Sequence, residues 1–220
     1  MIPAEVWYRV VRVFCGAESG TGFVLDHENR QYIVTARHVV RSGADPVVHA
    51  RGKIIPVGLT PLTVLDSEAD VAVFRLDQSI TPPNLPLAAG MKDLVFGQDA
   101  YFLGFPYGLT FDLGGEDFPI VKRCIVSATN RSFRGRNILL LDGWNNPGFS
   151  GGPVVFRPAL SARGLQEPMK VAGIVTAYAN HPESVKVNGQ IIAGAEVMLN
   201  SGIIIAEDIA RATDAIEADI

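Results

Sequence analysis

Cysteine is scarce: the 220 residues hold two, Cys15 and Cys124, one in each half of the chain. Two thiols close at most one bridge, so a disulfide scaffold is excluded, and free cysteines in a reducing compartment are expected. No C-x-x-C or H-E-x-x-H spacing occurs, and the four histidines are scattered, so neither a metal nor another cofactor is expected. No apolar run approaches the roughly 18 residues that a spanning helix needs. The opening residues also lack a basic segment followed by an apolar core and a small-residue cleavage site. The expectation is a soluble, cytoplasmic chain with no membrane span. Basic residues are the minority, 19 Lys and Arg against 23 Asp and Glu, for a net charge of -4. A broad nucleic-acid surface is therefore not expected, because phosphate binding rests on clustered cations. The one basic run, at residues 131–136, reads as a solvated hairpin tip.

Apolar residues are plentiful, at 48% of the chain, enough to bury a full core. They fall in short β-rich runs at 6–14, 22–25, 32–35, 47–50, 53–59 and 71–76, then at 99–104, 124–127, 138–141, 153–156, 170–176 and 190–199. The intervals are too short for repeated βαβ crossovers, so an all-β barrel or sandwich is expected. Between the two series lies the proline-dense stretch 81–86, a connection between halves, since proline fixes φ and lacks the ladder donor. From residue 201 the pattern changes. Ile205, Ile209, Ala212 and Ile216 recur at helical spacing, with Asn200 or Ser201 as a plausible cap and the apolar stripe laid on the second half.

Ser150 sits in the run Asn145-Asn146-Pro147-Gly148-Phe149-Ser150-Gly151-Gly152-Pro153, between two strand-like segments. Taken alone this is a Pro/Gly turn or the address of a nucleophile, because flanking glycines let a hydroxyl project and N–H groups converge. Two upstream segments favour the nucleophile. Residues 32–40 form a β-branched run ending in Ala36-Arg37-His38, and at 68–74 an aspartate, Asp70, leads into an apolar strand. A serine needs a base within hydrogen-bond reach and a third group to orient that base. The chain supplies them in the order His, Asp, Ser.

These segments, "TARHVV", "DVAVFRL" and "NNPGFSGGPVV", resemble the three signatures of the chymotrypsin-fold, trypsin-like serine peptidases. The smaller runs "SGTGFVL", "GFPYGL" and "IVSATNR" are similar to the bacterial Deg/HtrA-like branch. The resemblance implies two six-stranded antiparallel β-barrels with a C-terminal α-helix. Residues 1–85 would form the first barrel with His38 and Asp70, 86–200 the second with Ser150, and 201–220 the helix, all one peptidase domain. It also implies a serine endopeptidase with a His38, Asp70 and Ser150 triad working through an acyl-enzyme, and a polypeptide as its partner. The oxyanion donors would be the N–H groups of Gly148 and Ser150. Substrate would pair with the strand at Thr176, Ala177 and Tyr178, with the Thr176 hydroxyl near the triad aspartate.

Two departures from the family pattern carry expectations. Phe149 stands where secreted digestive members have an aspartate, so the resemblance gives no reason to expect activation by propeptide cleavage. Trp144, six residues before Ser150, stands at the pocket base in place of an acid, which disfavours basic residues before the scissile bond and favours apolar or small ones. The run also satisfies G-x-S-x-G, the elbow of an α/β-hydrolase, but after Ser150 only Glu167 and His181 remain in the right order, too close for that fold. The other alternative is a catalytically silent module of the peptidase fold that binds peptides or partners.

Overall fold

The computed structural model describes residues 2–82, 86–133, 136–158 and 167–219. A short helix, α1 (Ala4–Trp7), takes the start of the run expected as strand. It leads into β1 (Val10–Cys15), β2 (Glu18–His27), β3 (Arg30–Thr35), β4 (Val47–Ala50), β5 (Lys53–Ile55), β6 (Leu59–Leu62) and β7 (Ala72–Leu76). The second half begins with β8 (Ala88–Ala89), β9 (Asp99–Gly104), β10 (Phe111–Leu113), β11 (Glu116–Phe118) and β12 (Ile120–Phe133). It continues with β13 (Arg136–Asp142), β14 (Pro153–Phe156), β15 (Lys170–Val187), β16 (Gln190–Asp208) and a closing helix, α2 (Ala210–Glu217).

The strands make two curled sheets, in the orders β5-β4-β1-β2-β3-β7-β6 and β14-β9-β12-β13-β16-β15-β8. An additional pairing of β14 with β15 brings the second sheet round on itself. Each sheet counts seven strands where six were expected; β8, two residues in parallel pairing with β15, is the surplus in the second. Residues 83–85 of the proline-rich connection and 134–135 of the basic hairpin tip lie outside the described residues.

The central strands read as continuous apolar runs because both of their faces are covered. Val24 and Ile33 point into the first sheet's own core with Val11, Val13 and Val48. Their neighbours Phe23, Leu25, Tyr32 and Val34 point the other way, into a core shared with Leu103, Phe105, Val155 and Ile174 of the second half. A third cluster, with Phe102, Leu139 and Phe149, fills the second sheet. Arg9 is buried in this frame, paired with Asp26 and donating to the carbonyl of Pro82 at 3.0 Å.

The tail departs from its expected form. Residues 201–208 continue β16, pairing Ile204 with both Leu141 and Tyr178, and the helix starts only after Asp208. Three successive isoleucines, Ile203 to Ile205, suit a half-buried pleated surface better than a helix face. No side chain of Asn200 or Ser201 caps the helix; the Asp208 carboxylate accepts the Ala210 N–H at 2.9 Å instead. Nor does α2 rest on the second sheet alone. Ala212, Ala215 and Ile216 enter the shared core, and Asp219 just beyond binds Arg75 at 2.7 Å and the Tyr32 hydroxyl at 3.2 Å, both in the first sheet.

Candidate active site

His38 lies in the 3₁₀ turn Arg37–Val40 that follows β3, and Asp70 lies in the loop that feeds β7. Since β3 and β7 are neighbours, the two loops leave the same end of the sheet. Asp70 grips the histidine twice: Oδ1 accepts the His38 backbone N–H at 2.9 Å, and Oδ2 is 2.6 Å from the ring Nδ1. The Arg37 N–H donates to the Asp70 carbonyl at 3.2 Å, and the Arg37 side chain is exposed. A carboxylate at Nδ1 fixes the proton there and leaves Nε2 as the acceptor. Asp66 has a different task, pairing with Arg211 of α2 at 2.9 Å.

Ser150 is carried on the loop between β13 and β14, and glycine is required on both sides of it. Gly148 and Gly151 have φ of +103° and +86°. A Cβ on Gly151 would lie 1.9 Å from the Thr21 carbonyl oxygen, so only glycine lets this loop press against β2. The Ser150 carbonyl accepts the Thr21 N–H at 2.8 Å, while Gly151 donates to Val175 of β15 at 2.7 Å. Gly20 completes the approach. A Cβ there would strike the side chain of Val39, next to His38, at 2.6 Å and the Ser150 carbonyl at 2.9 Å, so the turn that carries His38 and the loop that carries Ser150 both close on this glycine. Among the described residues no hydrogen bond joins Ser150 Oγ to His38.

The Pro147–Gly148 peptide is oriented from outside. Its carbonyl accepts the Tyr107 N–H at 2.9 Å, and a planar trans peptide then directs the Gly148 N–H away from Tyr107. Tyr107 itself takes a left-handed φ of 53° in the "GFPYGL" run. Thr21 braces the next peptide, donating from Oγ1 to the Gly148 carbonyl at 2.7 Å while accepting the Phe105 N–H at 3.1 Å. Neither Thr21 nor Tyr107 was singled out from the sequence; a fully buried threonine in an otherwise apolar run is the signal that could have found the first.

On the pocket side the expectations need correction. Trp144 is 57% exposed, so its indole is not a closed floor. The buried residue is Asn145, which donates from Nδ2 to the Ala177 carbonyl at 3.3 Å and accepts at its own carbonyl from Asn200 Nδ2 at 2.7 Å. Lys122 meets the same loop, its ammonium donating to the Trp144 carbonyl and to Asn146 Oδ1, and burial pulls its pKa down. Ala177 and Tyr178 are half-buried on β15. The Thr176 hydroxyl turns to the Ile205 carbonyl at 3.4 Å, not to Asp70. It is Glu207, buried beneath the loop, that meets Asp70 there, accepting its N–H at 3.4 Å.

Phe149 is fully buried against Phe102, ring centroids 4.7 Å apart, an apolar anchor for the loop. His49 packs on Phe14 at 4.5 Å, and burial followed by the Arg12 charge lowers its pKa. Among the described residues no cluster of His, Cys, Asp or Glu could hold a metal, and no helix is long and apolar enough to cross a membrane.

Residues 20–157, more than half of the chain, match the family model of the trypsin-like peptidase domain. The chain belongs to that family. This trypsin-like domain is 34% identical over 148 residues to Protease Do-like 1, chloroplastic, of Arabidopsis thaliana. The match takes in 62% of this chain and 30% of that protein, so the domain spans under a third of the relative's length. Among solved structures it superposes on the HtrA-type protease AlgW with a tripeptide, at a TM-score of 0.65 and 23% identity over 98% of this chain and 61% of that one. The active form of the Rv3671c protease from M. tuberculosis gives a TM-score of 0.61 at 19% identity, covering 97% and 82%. By family this is a trypsin-like peptidase domain, and its fold is the one that the HtrA-type proteases share.

Proposed function

We propose that the protein is a serine endopeptidase that cleaves polypeptides through His38, Asp70 and Ser150. The observation that carries this is the double hold of Asp70 on His38, at 2.9 and 2.6 Å, which leaves Nε2 as the free acceptor of the base. Ser150 Oγ attacks the scissile carbonyl carbon as its proton passes to His38 Nε2. The developing oxyanion is met by the Gly148 and Ser150 N–H groups, the first of them aimed by the Tyr107 contact to Pro147. Collapse breaks the C–N bond, the imidazolium protonates the leaving amine, and an ester on Ser150 remains. Water, deprotonated by the same Nε2, then releases the acid and restores the serine. Asp70 holds the ring orientation and stabilises the imidazolium in both halves.

Substrate lies along β15 at Thr176, Ala177 and Tyr178 as an added strand, main-chain bonds giving affinity and side-chain pockets giving selectivity. Labelling with a fluorophosphonate tests the nucleophile. Modification of Ser150 in the intact chain, absent in Ser150→Ala and accompanied by loss of peptide cleavage, is expected. Undiminished cleavage by Ser150→Ala overturns the reading.

A further inference from the structure

The strand β15 does not stop where the active site ends. It runs on to Val187 and returns as β16 from Gln190, so that residues 180–199 form a two-stranded arm. The strand β14 pairs only with residues 170–174 of β15, and β13 only with residues 203–207 of β16. Along the arm, then, both edges are without a neighbouring strand among the described residues. Its side chains are exposed almost throughout, apolar ones such as Ile191, Val197 and Met198 included. An uncovered ribbon of this length is marginal alone, and open edges are normally blunted unless they are used.

Pro182 fixes which way the outer edge faces. Proline has no N–H and sits in a sheet only where that position looks away from the partner strand. Pro182 is in register with Met198, so its nitrogen lies on the outer edge, and the period of two gives Asn180 and Tyr178 the same outward direction. The irregularity between Tyr178 and Asn180 adds residues to β16 and none to β15, so the alternation survives it. An independent contact agrees: the Ala179 carbonyl faces inward, accepting the Ser201 hydroxyl of β16 at 2.8 Å. Tyr178 and Asn180 therefore present an outward N–H and C=O, and Pro182 an outward C=O alone. This row is continuous with the edge along Thr176, Ala177 and Tyr178.

We propose that the arm is an extended track for unfolded polypeptide. A substrate strand whose third residue before the scissile bond pairs with Tyr178 goes on to pair its fifth residue with Asn180, and its seventh donates to the Pro182 carbonyl. The proposal rests on the reading of β15 as the substrate strand. It makes the preferred substrate an extended, unstructured segment of at least five to seven residues upstream of the cut, a length that short peptides and tight loops of folded proteins do not supply.

Peptides with Leu before the scissile bond and eight upstream residues test it, methylated on the amide nitrogen of either the fifth or the fourth residue. The fifth amide donates to the arm and the fourth points away, so kcat/KM falls about three- to tenfold for the first and by less than twofold for the second. Asn180→Pro, which removes the outward donor as Pro182 already does, reproduces the loss on the long peptide and spares one cut back to three upstream residues. In the Ser150→Ala protein, the long peptide slows hydrogen exchange at the Asn180 amide. Equal rates for the two methylated peptides overturn the track even when the fluorophosphonate labels Ser150. Protection of Asn180 that appears without peptide and grows with protein concentration overturns it too, since the edge then holds a second copy of the chain. An unlabelled Ser150 together with peptide-dependent protection of Asn180 overturns the hydrolase reading and leaves the track standing.

Discussion

Two aspartates four residues apart separate by what they touch. Asp70 holds both the backbone and the ring of His38, whereas Asp66 faces Arg211 across the first turn of α2. Asp70→Asn replaces an acceptor at Nδ1 by an amide that favours the wrong tautomer, and kcat should fall by about four orders of magnitude with little change in KM. Asp66→Asn should leave kcat within about twofold and lower stability by roughly 1 kcal/mol, the scale of a partly exposed ion pair. Steady-state kinetics and urea unfolding of the two variants check this. Cys124 makes a second prediction at this scale. Burial first, then the charges of Asp142 and Asp99, push its thiol up to about 12 from 9.0. A raised folded value means that the unfolded thiol ionises first, so this group's contribution to stability is whole below about pH 9 and is lost as pH rises towards 12. Iodoacetamide at pH 8 should leave Cys124 unmodified in the folded protein and alkylate it in urea, as mass spectrometry of the digested chain would report.

At the scale of elements, the segment from Trp144 to Gly152 is a loop whose shape is set by its neighbours. Tyr107 fixes the Pro147 carbonyl, Thr21 fixes those of Gly148 and Ser150, and Asn145 ties the loop to β15. Lys122 supplies a charge to this loop, on the carbonyl of Trp144 and the side-chain amide of Asn146. If the proposed pocket opens beside this charge, an arginine or lysine entering it meets a like charge and loses its hydration without a partner, a penalty of several kcal/mol. Cleavage-site profiling on a denatured proteome should therefore return Val, Leu, Ala or Phe before the scissile bond and few basic residues. Lys122→Glu should relax that exclusion, raising the share of Arg and Lys at this position. An unchanged profile in the variant would remove Lys122 from the account of specificity.

At the scale of the whole molecule, the proposed site needs both sheets, because His38 and Asp70 lie on loops of one and Ser150 on a loop of the other. The contact is held by the shared core and by α2, which leaves the second sheet and anchors on the first through Asp219. Asp219 is mostly buried and serves Arg75 and Tyr32 together, so Asp219→Asn should cost on the order of 1–2 kcal/mol in urea denaturation. The wild-type slope with denaturant should persist if the two sheets still unfold as one.

Much of this was legible in the chain itself. The β-branched runs and their spacing dictate strands, and the glycines around Ser150, with His38 and Asp70 upstream, give the order of a triad, because local chemistry demands those residue types. The sequence could not tell that Ile203 to Ile205 prolong a strand, since an apolar residue every third or fourth place suits a helix until neighbouring strands offer their hydrogen bonds. Nor could it tell that Trp144 turns outward while its carbonyl and the Asn146 side chain take the ammonium of Lys122, more than twenty positions upstream. Thr21, Tyr107 and Glu207 gain their roles from contacts spanning 40 to 137 positions, as in the Thr21 to Gly148 and Glu207 to Asp70 bonds and the Tyr107 to Pro147 bond. A polar group buried by tertiary packing must find its partner wherever the fold puts one, and only the folded chain decides which partner that is.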